Sequence, residues 1–217
     1  MTHARATGNR IYTKIPTVAD KAAFLDAMSD WRPDGVLPEN QELEDYFTQI
    51  TQQSAYALGR LESQKSDPSY SFEADYKGWI YEAIYLKSDN TFIGISIGKM
   101  TYGTFYHQTV MFRPAYRGQG YASEYTILGY KTLFEGMSGC DKVYTKRPAS
   151  PSTELQSIST MYDGTDIKQT LSLLDRIDVV EYHELVLTKE QWATWINAAE
   201  NSDKKAEPFE YTWYHAD

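Results

Sequence analysis

Residues 110–134 read VMFRPAYRGQGYASEYTILGYKTLF. An apolar run ends at Pro114, glycines follow at Gly118 and Gly120, and from Tyr121 to Phe134 the apolar residues recur at helical spacing. Gly136 and Gly139 close that helix, and Lys142 to Lys146 reads as a short strand. Strand, glycine turn, helix, strand is the order of a βαβ-type unit, whose two strands are expected to run parallel. Gly118 and Gly120 let the backbone turn tightly and let a ligand approach it closely. The first helical turn adds unpaired N–H groups and the positive end of the helix dipole, an anion site suited to a diphosphate. The spacing is neither G-x-G-x-x-G nor a P-loop, since no Gly-Lys-Ser/Thr follows. A tight strand-to-helix turn that holds no ligand satisfies the same residues.

Upstream of this unit lie three strand signals. Trp79 to Lys87 is rich in aromatic and β-branched residues, Ser88-Asp89-Asn90 is a turn, and Thr91 to Met100 alternates. Ile93, Ile95 and Ile97 are expected on one face of that strand, with Phe92, Gly94, Ser96 and Gly98 on the other. Tyr102-Gly103 turns the chain into Thr104 to Phe112, which completes an antiparallel meander. Earlier still, Ile11 to Ile15 reads as the first strand. Thr17 with Asp20 is a capping box opening a helix to about Ser29, and Leu43 to Leu61 is the clearest amphipathic helix. Downstream, Glu154 to Met161 could form a short helix. Ile167 to Ile177 leans to strand and Asp178 to Leu187 is a better one. Thr188 with Gln191 is a second capping box. Asn201 to Glu207 reads as a charged linker, and Phe209, Tyr211 and Trp213 alternate as a terminal strand. One domain over residues 1–200, with 201–217 as linker and aromatic strand, accounts for the length of 217 residues.

Composition narrows the function classes. With 41% hydrophobic and 24% charged residues the chain has ordinary globular content, not that of a disordered or fibrous protein. No apolar run reaches 18 residues and the N-terminus lacks an apolar core, so neither a membrane span nor a secretory signal is expected. The single cysteine, Cys140, excludes an internal disulfide framework and reads as a structural thiol. His3, His107, His183 and His215 have no metal-ligand spacing, so no metal is expected. A cytoplasmic protein fits these features. The net charge of −9 disfavours nucleic acid and would attract a cationic substrate, or it serves solubility alone.

The stretch Val110 to Leu133 resembles the coenzyme A motif of the GNAT N-acetyltransferases, Arg/Gln-x-x-Gly-x-Gly/Ala, through Arg117, Gly120 and Ala122. Arg10 to Lys14 followed by Thr17 to Asp20 is similar to that family's first strand and helix opening, and Phe92-Ile93-Gly94 to its third-strand entry. Tyr182 to Trp192 resembles the closing strand and Thr-x-Glu-x-Trp phrase of the Rim-type branch, which acetylates ribosomal-protein N-termini. The resemblance implies an α/β fold: a mixed, mostly antiparallel sheet of about seven strands flanked by helices, with a C-terminal helix and strand extension.

The resemblance also implies a direct transfer of acetyl from acetyl-CoA, a cosubstrate, to a primary amine on a protein N-terminus or a small cation. Backbone amides of Arg117, Gly118, Gln119, Gly120, Tyr121 and Ala122 would bind the diphosphate. Val110, Met111 and Phe112 would bond the pantetheine arm, with the acetyl group in a gap where two strands splay apart. A backbone amide on the strand before the turn would polarise the thioester carbonyl. Glu82 and His107 are candidate bases for the amine, and Tyr162 is the candidate donor to the leaving thiolate. Each could also be an ordinary structural residue. Glu124, in the first helical turn, suits the helix dipole better than catalysis. The family's Asn-x-x-Ser is missing from Arg147 to Ser152, and its Leu-Gly-Phe phrase is missing too. These departures, with the aromatic C-terminus, motivate an alternative: a catalytically degenerate binding or structural subunit. The C-terminal segment could dock a second copy or another protein, or pack on its own sheet.

Overall fold

The computed structural model describes residues 2–29, 43–67, 69, 77–102, 104–136, 140–148, 167–171 and 180–215. Its strands are β1 (Thr2–Thr7), β2 (Ile11–Lys14), β3 (Lys77–Leu86), β4 (Phe92–Thr101), β5 (Thr104–Phe112), β6 (Lys142–Pro148), β7 (Ile167–Leu171), β8 (Val180–Thr188) and β9 (Glu210–His215). Its α-helices are α1 (Lys21–Ser29), α2 (Leu43–Ser66), α3 (Tyr121–Lys131), α4 (Lys189–Ile196) and α5 (Ser202–Ala206). The strands form a single sheet in the order β7-β8-β6-β5-β4-β3-β2-β1-β9. Neighbours are antiparallel throughout, except for the parallel β5–β6 pair that brackets α3. This is the expected mixed, mostly antiparallel α/β sheet with helices on both faces. Among the described residues no helix is long and apolar enough to cross a membrane.

Local chemistry starts the helices where the sequence suggests. Asp20 Oδ2 accepts the Thr17 backbone N–H at 2.7 Å, ahead of a short 3₁₀ turn and α1. Thr188 and Gln191 bond reciprocally at the start of α4. Phe24, Phe47 and Ile50 of α1 and α2 pack on Tyr12, Ala83, Tyr85, Phe92 and Ile95 on one face of the sheet. Tyr125 and Leu128 of α3 cover Ile11, Ile84, Ile93 and Phe112 on the other. Farther along α3, Ile127 and Tyr130 join Phe134, Val143, Leu187 and Trp192. Cys140 is fully buried in that cluster, with its thiol near the Lys142 carbonyl.

Three expectations need correction. Thr2–Thr7 is a strand, although it lacks an apolar alternation; it is held between β2 and β9 by ladder hydrogen bonds. With it the sheet holds nine strands among the described residues, where the resemblance implies about seven and a C-terminal strand extension. Ile93 and Ile95 do not share a face. The register steps from Ile84↔Gly94 to Tyr85↔Phe92, so Ile93 is the extra residue of a bulge. It packs under α3 while Ile95 packs under α1 and α2. The stretch read as a charged linker carries a 3₁₀ turn at Ala199–Asn201 and then α5. Lys131 of α3, itself buried, donates to the carbonyls of Lys205 and Glu207 and so fixes the end of α5. β9 follows and extends the same sheet beyond β1. Glu154 to Met161 lies outside the described residues, as do residues 172–179, so only the Ile167–Leu171 part of that expected strand is placed.

Candidate active site

The β5–β6 pair forks. Its parallel rungs run from Thr104↔Lys142 to His107↔Thr145 and stop there. Beyond the last rung β5 continues to Phe112 against β4 alone, and β6 continues to Pro148 against β8 alone. Sheet registry supplies a reason. The β4–β5 register shifts at Ile97↔Thr109 and Gly98↔His107, leaving Gln108 as a bulge. A bulge bends its strand and increases the local twist, here at the residue after the last rung.

Past the fork, β5 turns backbone groups toward the gap. Arg113 donates its N–H to the Ile93 carbonyl at 2.9 Å, on the β4 side. In an antiparallel ladder, bonding direction alternates along the strand. Phe112 and Val110 therefore direct their N–H and C=O groups away from β4. The Phe112 carbonyl meets Arg117 Nε at 2.9 Å, as that alternation requires. Met111, by the same alternation, bonds toward β4. The sequence-predicted trio Val110, Met111 and Phe112 thus lines the gap through Val110 and Phe112.

The glycine turn sits at the gap's end. A 3₁₀ turn, Pro114–Tyr116, leads to Arg117. Gly118 has φ +68° and Gly120, the N-cap of α3, has φ +80°, a region that side chains with a Cβ rarely adopt. The first intrahelical bond runs from Glu124 N–H to the Gly120 carbonyl. The amides of Tyr121, Ala122 and Ser123 precede that bond and have no intrahelical partner. Gln119 folds its side-chain amide onto the Ala115 carbonyl at 2.6 Å. The turn of residues 117 to 122 thus lies beside the fork, at the N-terminus of α3 and the positive end of its dipole. A cleft of about 330 Å³ borders it, lined by Asn9, Arg10, Gly120, Ser123, Lys204 and Glu207 among others.

Two residues at this site were not expected to belong to it. Glu124, 8% exposed, is fixed by the β1–β2 turn: its Oε1 accepts the backbone N–H of Arg10 at 2.6 Å and of Ile11 at 3.2 Å. Arg10 adds a guanidinium contact, Nε to Glu124 Oε2 at 2.7 Å, and a second from Nη1 to the Gln119 carbonyl at 3.0 Å. These contacts join residues more than a hundred positions apart, so no local spacing could reveal them.

The base candidates separate in space. His107 stands at the fork itself, on the last rung. Glu82 stands in a row with Ser96 and Val110, so two strand spacings, roughly 10 Å, lie between its strand and β5. Its carboxylate accepts from Tyr125 Oη at 2.7 Å and from Thr13 Oγ1 at 3.2 Å. Burial raises the Glu82 pKa above the usual carboxylate value, and the two hydroxyl donors partly offset this. Burial, with the neighbouring Glu82 charge, pushes the Tyr125 hydroxyl well above its ordinary value. Glu82 is thus engaged beneath α3. Tyr162 lies outside the described residues.

No protein-family model matches the sequence, and no curated protein matches it significantly. Solved structures do share its architecture. A GNAT-family acetyltransferase from Bacillus anthracis superposes with TM-score 0.59 at 14% identity, over 86% of this chain and 99% of its own. A GCN5-related N-acetyltransferase from Brucella melitensis gives TM-score 0.60 at 10% identity, over 93% and 84%. A protein described as a ribosomal-protein-serine acetyltransferase from Vibrio cholerae gives 0.51 at 11% identity, over 82% and 94%. Likeness at such identity is a likeness of fold: the chain has the fold of the GNAT acetyltransferases.

Proposed function

We propose that the protein transfers an acetyl group from acetyl-CoA directly to a primary amine. One observation carries the reading: the β5–β6 fork opens beside the Arg117–Ala122 turn, so a thioester arm and a diphosphate would find adjacent sites built from main chain. The Arg117–Ala122 amides would hold the diphosphate, and Val110 and Phe112 would bond the pantetheine amides. The acetyl carbonyl would lie at the fork, where a β5 amide supports the developing oxyanion. The amine attacks the carbonyl carbon, the tetrahedral adduct collapses, and the C–S bond breaks. The amine proton leaves to a base and the thiolate takes a proton.

His107, whose backbone makes the last β5–β6 rung, is the base we assign, acting directly or through a water. Glu82, two strands from β5, is the second candidate. Tyr162 remains the proposed donor to the thiolate. The acceptor is proposed to be a cationic amine or a protein N-terminus. The acidic net charge supports a cation, and the Tyr182 to Trp192 phrase supports the Rim-type branch. A cytoplasmic location suits such a substrate. Any partner at the C-terminal segment would add at β9, which forms the sheet edge.

Calorimetric titration with acetyl-CoA tests this reading, with Gly120→Glu as control and an amine panel to follow. Micromolar binding by the parent, none by the control and release of CoA with one class of amine are expected. A folded parent that does not bind acetyl-CoA overturns it.

A further inference from the structure

We propose that Arg10 is a positioning residue for the phosphate-binding turn: anchored on Glu124, it locks the Gln119–Gly120 peptide so that the Gly120 N–H faces the coenzyme diphosphate. This role rests on the acetyl-CoA reading of the turn. Arg10 lies between β1 and β2, far from the turn in sequence, yet its guanidinium is spread across it. Nη1 holds the Gln119 carbonyl at 3.0 Å. Nη2 lies 3.5 Å from where a Cβ on Gly120 would sit. The guanidinium carbon stands 4.4 Å from the centre of the Tyr121 ring.

A peptide unit is planar and trans, so its carbonyl and its N–H point in opposite directions. Binding the Gln119 carbonyl toward Arg10 therefore turns the Gly120 N–H away from Arg10. That orientation needs holding. Gly120 has no Cβ, so it restricts rotation of the preceding peptide less than any other residue would. A flipped peptide would present a carbonyl oxygen to the phosphates in place of a donor. The lock is itself held. Nε and the backbone N–H of Arg10 are both bonded to Glu124, whose Oε1 also accepts from Ile11 N–H. Glu124 belongs to the first turn of α3, so turn, helix start and β2 entry form one unit. Setting the donors before the ligand arrives lowers the ordering cost of binding.

The test compares two probes, acetyl-CoA and S-acetylpantetheine, which keeps the thioester arm and lacks the diphosphate. Arg10→Ala should weaken acetyl-CoA binding about tenfold, the scale of one charge-assisted hydrogen bond. It should leave S-acetylpantetheine affinity unchanged. Because Arg10→Ala strips Glu124 of its charge partner, a double variant, Arg10→Ala with Glu124→Gln, guards against misfolding. The glutamine oxygen can still accept the two backbone N–H groups, and the same selective loss is expected. Equal acetyl-CoA affinity in folded variants overturns the lock and leaves the acetyl-CoA reading intact. Equal loss for both probes also overturns it, since that marks general damage. A parent that binds neither probe overturns the acetyl-CoA reading and the lock with it.

Discussion

His107 and Thr145 make the last rung between β5 and β6, and the two strands part immediately beyond it. The Gln108 bulge lies next to that rung on one side and the glycine turn closes the gap at its far end. A ligand in the gap would therefore meet main chain along its length, with His107 at the narrow end.

The fork separates the two base candidates by experiment. His107→Ala should lower kcat about 10²-fold while acetyl-CoA affinity stays within about twofold. Glu82→Gln should change kcat less than about threefold. Steady-state rates with the best amine of the panel, beside calorimetry, check both. The reverse ranking would move the chemistry under α3.

Glu82 should instead appear in the pH dependence of stability. Its pKa is raised in the folded protein, so folding favours its neutral form. The stability linked to it is complete below the unfolded carboxylate value near 4.5 and is lost as pH rises through the folded value. Glu82→Gln, which keeps an acceptor for Tyr125 and Thr13, should raise the melting temperature at pH 7 by about 2–4 °C. The gain should fade below pH 4, where both side chains are neutral. Thermal melts of parent and variant across this range decide it.

Gly120 tests the cradle. At φ +80° any side chain costs roughly 1–2 kcal/mol. That loss is bearable for the fold, whereas a Gly120→Glu carboxylate would occupy and repel the phosphate position. Acetyl-CoA binding should disappear from a protein whose circular dichroism is unchanged.

Gly98 tests the packing behind the fork. It pairs with His107, and a Cβ on it would overlap the Phe105 ring. Phe105 is buried, so it has little room to move. Gly98→Ala should cost about 1–3 kcal/mol in urea unfolding. Adding Phe105→Leu should recover part of that loss.

What the sequence determined by itself was local. Period-3.6 spacing marks α2 and α3, alternation marks β9, and Thr17 with Asp20 and Thr188 with Gln191 mark helix starts, because each signal acts within a few residues. The glycine turn was legible for the same reason: Gly118 and Gly120 answer a backbone demand that neighbouring atoms set. Tertiary structure alone decided the rest. Thr2–Thr7 is a strand because β2 and β9 offer it hydrogen bonds on both sides. Ile93 changed face because one inserted residue reverses an alternation of period two. The fork at His107, the retreat of Glu82 beneath Tyr125 and the grip of Arg10 on the turn all depend on register between distant strands. A chain segment cannot encode that register alone, since it is fixed only when partner strands and covering helices are in place.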